Sequence, residues 1–191
     1  LETLFAGSIA DAKEREQNIS TSQLERLVVA SEINAAELLA PRENIHVIAE
    51  IKRASPSRGK MSDIEHPEEL AVTYANNGAS AISVLTEQRQ FLGHMDDLRA
   101  VRDAVAVPLL RKDFIANEYQ ILEARAAGAN IVLLIVAGLD ESTLNRLKSF
   151  IEDLGMTAFI ETHTLDEVKI AIQSGVQLIG VNARDLSTFE T

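Results

Sequence analysis

Cysteine and tryptophan are missing from the 191 residues, and the aromatic complement is six phenylalanines and two tyrosines. Without cysteine there can be no disulfide framework, no thiolate metal site and no cysteine nucleophile. A reducing compartment fits, and a cytoplasmic location is expected. The four histidines, His46, His66, His94 and His163, show no zinc-ligand spacing, so no metal is expected. No apolar run approaches the roughly 18 to 20 residues that span a bilayer. No basic segment followed by an apolar stretch marks a signal peptide, and no membrane partner is expected. The chain opens on Leu1 rather than Met, so some trimming is expected. Positive charge is scarce: 18 Lys and Arg stand against 29 Asp and Glu, a formal charge of −11. That balance argues against nucleic acid and anionic membranes as partners. It leaves room for a small anionic substrate held by a local basic cluster. Glycine-rich phosphate loops are missing too, since neither G-x-G-x-x-G nor a Walker-type G-x-x-x-x-G-K-[ST] occurs.

What is present is a sequence 46% hydrophobic and 25% charged, which supports one packed domain and argues against disorder. Residues 1–45 read as a helical extension. Leu1, Leu4, Phe5 and Ile9 recur at helical spacing, as do Leu24, Leu27 and Val28, and Ser20 to Ser22 offer N-cap oxygens. From residue 46 to 191 short β-branched runs alternate with amphipathic helical stretches. The spacing predicts strands at 46–51, 81–86, 107–111, 130–136, 157–160 and 177–181. Helices are expected at 67–77, 96–104, 118–127, 141–154 and 165–174. Pro67 suits a first helical turn, and Thr164 with Glu167 reads as a capping box. Leu144, Leu147, Ile151 and Leu154 line one helix face. Glycines that follow helices, Gly78, Gly128, Gly155 and Gly175, suit left-handed C-caps. Repeated βα units imply a parallel sheet. The first of these strands leads into Arg53-Ala54-Ser55-Pro56-Ser57-Arg58-Gly59, which is not the glycine fingerprint of an open doubly wound sheet. The expected fold is therefore α/β, a (β/α)8 TIM barrel of which this chain holds six βα units and an N-terminal helical extension. Complete barrels of this type need about 250 residues, so the last two units are expected to be missing.

A buried parallel strand should be almost wholly apolar, yet several strands here end in polar residues. Glu50 and Lys52 close the first and share a face. Glu87 follows the second, Arg111-Lys112-Asp113 closes the third, Glu161 the fifth and Asn182 the sixth. In a parallel barrel these ends meet at one rim, where barrel active sites lie. Lys and Glu side chains in such company are candidate general acids and bases. Arg53, Arg58 and Lys60 around the first βα loop, with Arg111 beside Lys112, point to an anionic ligand. Ser55 and Ser57 are candidate donors to it. Charge on a solvated loop would give the same pattern without function. Phe91 and Phe114 fall on the rim side as loop anchors or as a stacking surface. For His163, near Glu161, a surface or N-cap place is expected, with support of Glu161 from behind the site as the alternative, and for the Asp96-Asp97 pair simple first-turn helix charge.

The stretch Ile48-Ala49-Glu50-Ile51-Lys52-Arg53-Ala54-Ser55-Pro56-Ser57-Arg58-Gly59 closely resembles the signature of the indole-3-glycerol-phosphate synthase family, barrel enzymes of tryptophan biosynthesis. The resemblance continues through Ser83-Val84-Leu85-Thr86-Glu87, Leu110-Arg111-Lys112-Asp113-Phe114-Ile115, Tyr119-Gln120-Ile121 and Leu133-Leu134-Ile135. It resumes at Glu161-Thr162-His163 and Gly180-Val181-Asn182-Ala183-Arg184-Asp185-Leu186. It implies a carboxy-lyase that takes 1-(2-carboxyphenylamino)-1-deoxyribulose 5-phosphate, an anionic small molecule with a carboxylate and a phosphate. Ring closure and loss of carbon dioxide and water then give indole-3-glycerol phosphate. The resemblance casts Lys112 as the acid for the ribulose carbonyl and Glu161 as base or acid of the dehydration. Lys52 becomes a contact to anionic groups and a second candidate acid, and the division between the two lysines stays open. Glu50 and Asn182 become the orienting pair, and Arg184 a guide for the carboxylate. Ser55, Leu85, Phe91, Phe114 and Leu133 become the substrate's surroundings. No metal and no organic cofactor is implied. The family's seventh and eighth strands bring a Glu-Ser pair and phosphate-gripping turns that nothing in these residues matches. An inert barrel fragment therefore remains an alternative. So does another phosphate-handling barrel such as phosphoribosylanthranilate isomerase, although the lack of cysteine counts against it.

Overall fold

A computed structural model describes residues 1–183 of the chain. In chain order the elements are α1 (Glu2–Asn18), α2 (Thr21–Leu27), α3 (Ala35–Leu38), β1 (Ile48–Ile51), β2 (Ala54–Ser55), β3 (Gly59–Lys60), α4 (Pro67–Asn76), β4 (Ala81–Leu85) and α5 (Met95–Ala104). They continue with β5 (Leu109–Lys112), α6 (Glu118–Ala126), β6 (Ile131–Ile135), a 3₁₀ turn (Val136–Gly138), α7 (Glu141–Asp153), β7 (Thr157–Thr162), α8 (Leu165–Gln173) and β8 (Leu178–Val181). Six strands form one parallel sheet in the order β1-β4-β5-β6-β7-β8. Neighbours in sequence are neighbours in space, with a helix on each return, so the sheet curls as a half-barrel of the (β/α)8 kind. The expected strands and helices are all found. The small antiparallel hairpin β2–β3, inside the first βα loop, was not expected.

Strand alternation divides the core in two. Ile82, Val84, Leu109, Val132, Leu134, Ala158 and Ile160 face outward and pack under Leu98, Val101, Leu144, Leu147 and Ile151 of the helices. Ala81, Leu110, Ile131, Leu133 and Ile135 face into the curve, joined by Ile48, Phe159 and Leu178. The outer core follows from the helical stripes: α5 buries Met95, Leu98 and Val101, and α7 buries Leu144, Leu147 and Ile151, three and four residues apart. Asn117 and Asp140 cap α6 and α7 by accepting the N–H groups of Gln120 and Thr143 at 3.0 and 2.8 Å. Gly78 and Gly128 end their helices with φ of 91°, a left-handed cap that a side chain would strain.

The N-terminal extension is part of the packing. Ala12 and Leu24 close over Tyr119 and Leu122, which buries the face of α6 that a barrel helix normally turns to water. Phe5 lies over Gly138, where a Cβ would stand 2.0 Å from the ring. From there it reaches the inner core and meets Phe114 edge to face at 5.5 Å.

The cap of α8 also departs from the sequence reading. Thr164 does cap α8, accepting from Glu167 N–H at 3.2 Å. Glu167, however, reaches one residue further back and accepts the backbone N–H of His163 at 2.7 Å, so the reciprocal half of the capping box is not made to Thr164.

Candidate active site

The C-terminal ends of the strands converge as alternation requires. Glu50 on β1 lies level with Ser83, Lys112 on β5 with Leu85, and Glu161 on β7 with Ile135 and Gly180. Lys52 lies just past β1, and Asn182 just past β8, where its N–H is tied to Thr162 O at 2.9 Å. Together they border a cavity of about 350 Å³ walled by Leu85, Phe91, Phe114, Leu133 and Ile135, with Ser55 and Ser57 on the hairpin side.

The charged groups form a continuous chain. Lys52 pairs with Oε1 of Glu50. The other oxygen, Oε2, lies 3.5 Å from Lys112 Nζ. Lys112 in turn lies 3.8 Å from Glu161 Oε2. Asn182 Nδ2 donates to Glu161 Oε1 at 3.2 Å. Both lysine side chains are 30% exposed and Glu161 10%, so they face a water-accessible cavity from a protein wall. Each ammonium is close enough to a carboxylate to stay localised and open enough to meet a ligand. All five catalytic candidates named from the sequence thus lie in one site, as do Ser55, Leu85, Phe91, Phe114 and Leu133. Arg184 lies outside the described residues. Among those described, no group of acidic and histidine side chains is arranged to hold a metal.

The wider basic cluster is not what the sequence suggested. Arg53 is turned away and spent: its guanidinium grips both oxygens of Asp97 and donates to Ile64 O at 2.9 Å. Lys60 pairs with Asp63. Arg111 follows the alternation of β5 to the opposite face from Lys112, where it is fully buried against Asp113, Glu123 and Thr86. Asp97 is accordingly more than first-turn charge. It anchors Arg53 and accepts the N–H of His94 at 3.1 Å. Glu87 also stays out of the cavity. Its carboxylate takes the N–H groups of Arg89, Gln90 and Phe91 at 2.7 to 3.0 Å, folding the loop that presents Phe91. That ring lies 6.1 Å from Phe114, so Phe5, Phe114 and Phe91 form one aromatic run from α1 to the cavity wall.

His163 is the residue underrated by sequence. It precedes the N-cap of α8 instead of forming it, and its side chain is only 10% exposed, between Glu161 and Glu167. The available signal was its spacing: two residues beyond Glu161 on a strand end, the pair shares a face.

A parallel half-barrel with paired lysines and glutamates at the C-terminal ends of its strands places the chain among the (β/α)8 barrels, the architecture whose active sites lie at that rim. Among solved structures the fold matches the N-acetylmannosamine-6-phosphate 2-epimerase from Clostridium perfringens with a TM-score of 0.55 and 13% identity, over 78% of this chain and 65% of that one. It also matches the carboxyl transferase domain of Rhizobium etli pyruvate carboxylase with a TM-score of 0.51 and 18% identity, over 83% and 30%. These likenesses speak for the fold alone. The family model described as Indole-3-glycerol phosphate synthase matches residues 1–191. Proteins of that name from Leifsonia xyli subsp. xyli and Mycolicibacterium gilvum are each 52% identical to this chain over its whole length, which spans 74% and 70% of theirs. The chain belongs to the indole-3-glycerol phosphate synthase family.

Proposed function

We propose that the site performs the decarboxylating ring closure implied by the family, converting 1-(2-carboxyphenylamino)-1-deoxyribulose 5-phosphate to indole-3-glycerol phosphate, as a lyase of tryptophan biosynthesis. The observation that carries this reading is the place of Lys112: its ammonium sits between Glu50 and Glu161, at 3.5 and 3.8 Å, over an apolar cavity. An ammonium held there can give a proton to a ketone oxygen while the neighbouring aromatic carbon attacks the carbonyl carbon. Loss of carbon dioxide returns the bonding pair to the ring and restores its aromaticity. Glu161 is placed to take the carbon-bound proton as water leaves, and Lys52 to donate to that departing oxygen. Glu50 keeps the two ammonium groups apart yet localised, and Asn182 fixes the Glu161 carboxylate. Phe91, Phe114, Leu85 and Leu133 supply the flat apolar surfaces an anthranilate ring needs. Arg184, by resemblance, would steer the carboxylate.

The test is continuous fluorescence detection of indole-3-glycerol phosphate from the synthetic substrate, with this chain joined to the remaining C-terminal residues of the Leifsonia xyli relative. Lys112→Ala is expected to lower kcat by about 100-fold to 10,000-fold while KM changes far less. A kcat within about threefold of the parent would remove Lys112 from the acid role.

A further inference from the structure

Nε2 of His163 is buried and makes no hydrogen bond among the described residues, a costly state for a ring nitrogen. It lies 3.4 Å from Oε1 of Glu161. On the other side of the ring, Nδ1 lies 3.4 Å from Oε2 of Glu167, an oxygen already fixed by the backbone N–H of His163 at 2.7 Å. An ionised carboxylate only accepts, so Glu167 requires the ring proton on Nδ1. Neutral imidazole then presents a bare lone pair from Nε2 toward Glu161, and two acceptors face each other at 3.4 Å. The contact becomes attractive when one proton lies between them, on either Oε1 or Nε2. The charged groups facing the pair are Glu167 from α8 and Lys112 from β5, the latter at 3.8 Å from Glu161 Oε2. Asn182 adds a neutral donor to Oε1 at 3.2 Å.

We propose that His163 is the proton partner of Glu161, and that Glu167 holds it in the Nδ1–H tautomer. This rests on the reading of Glu161 as the acid and base of the dehydration. The step is a single proton transfer: Glu161 protonated beside neutral His163 exchanges with ionised Glu161 beside imidazolium, and no other bond changes. A carboxylate that has taken a proton from substrate carbon can pass it to Nε2 and be ready again without bulk water. His163 is a positioning residue here, because it acts on the substrate only through Glu161. The relation of Glu167 to His163 is that of an orienting carboxylate to a catalytic imidazole, in which the wrong tautomer disables the proton transfer.

The experiment combines kinetics and spectroscopy, on this chain and on the same chain joined to the remaining C-terminal residues of the Leifsonia xyli relative. Product formation by the parent tests the activity itself. His163→Gln keeps a donor near Glu161 but cannot exchange the proton. It is expected to lower kcat about 10-fold to 100-fold, less than removal of a direct acid or base, with KM within about threefold. Its pH–kcat profile should change shape, which a packing role alone would not cause. His163→Ala should be slower still. Nitrogen-15 spectra of the imidazole require no turnover. They should show the Nδ1–H tautomer in the parent, its loss in Glu167→Gln, and a changed Nε2 resonance in Glu161→Gln. A His163→Gln enzyme within twofold of the parent with an unchanged pH profile overturns the proposal. So does an Nε2–H tautomer, or an imidazole spectrum indifferent to Glu161→Gln and Glu167→Gln. Absence of product from the joined protein would fault the assigned reaction, while the spectra would still decide whether the proton is shared.

Discussion

Lys112 stands between two residues that face the other way, and both are fixed. The carboxylate of Asp113 accepts from Ser8 at 2.8 Å, Thr86 at 2.6 Å, Arg111 at 3.0 Å and the N–H of Phe114 at 2.8 Å. Burial alone would raise its pKa, but the Arg111 guanidinium and these hydrogen bonds outweigh it and hold the carboxyl below its ordinary range. A carboxylate with a depressed folded-state pKa stabilises the fold above its unfolded pKa, 3.8 here, and that stabilisation disappears as pH falls through the folded value. Asp113→Asn is expected to cost about 3 to 5 kcal/mol near neutral pH, because Arg111 loses a buried partner. Below about pH 4 the gap to the parent should narrow. Urea unfolding of both proteins from pH 7 to pH 3 checks this; a gap constant across that range would contradict it. The identity of the site residues was legible because polar types at strand ends are rare and alternation fixes their face. Their partners were not. The destiny of Arg53 and Arg111 depends on Asp97 and Glu123, which are 44 and 12 residues away and meet them only through packing.

At the scale of elements, the extension is joined to the barrel through α6. Tyr119 is buried beneath α1 and α2, and its hydroxyl donates to Ile19 O at 3.0 Å, at the end of α1. Burial, helped by the nearby charge of Glu123, pushes the phenol up from 10.0 to about 12. The neutral phenol is therefore favoured in the fold, and its contribution is complete below pH 10 and lost as pH rises toward 12. Tyr119→Phe is expected to cost about 1 kcal/mol at neutral pH from the lost hydrogen bond. It should also flatten the loss of thermal stability between pH 10 and pH 12, which calorimetry would show. Equal alkaline slopes for the two proteins would contradict the assignment. The six sheet strands and the barrel helices were legible because a β-branched run or a 3.6-residue stripe spans several positions, whereas the four-residue α3 was not set apart within the helical extension. The hairpin β2–β3 was not, since two-residue strands have no period. Neither was the burial of α6 on every side from Tyr119 to Ala124, which depends on helices distant in sequence.

For the whole molecule, charge and edges point the same way. The cavity is bordered by Lys52 and Lys112 but also by Glu50, Glu161 and Asp113. With Asp113 neutralised by Arg111, two positive and two negative charges remain among the described residues. A doubly charged phosphate therefore has no surplus of positive charge to meet on these walls. β1 and β8 each pair on one side only among the described residues, which leaves sheet edges with free N–H and C=O groups. The relatives from Leifsonia xyli and Mycolicibacterium gilvum are longer than the matched region, which spans 74% and 70% of them. Joining this chain to the remaining C-terminal residues of the Leifsonia xyli relative should cover an edge and bring further groups to the rim. Holding the phosphate fixes the reacting carbons at the site, and such positioning contributes up to about 7 to 11 kcal/mol of a barrier in favourable cases. The joined protein is expected to exceed the 191-residue chain in kcat/KM by at least about 1,000-fold, well within that range. It should also melt at a higher temperature. The chain by itself should associate as its concentration rises, because one free edge can pair with another. Parallel assays, melting curves and sedimentation of the two proteins decide the matter. Equal activity in both would mean that the 191 residues hold the phosphate themselves, and the charge balance of the cavity would have to be redrawn.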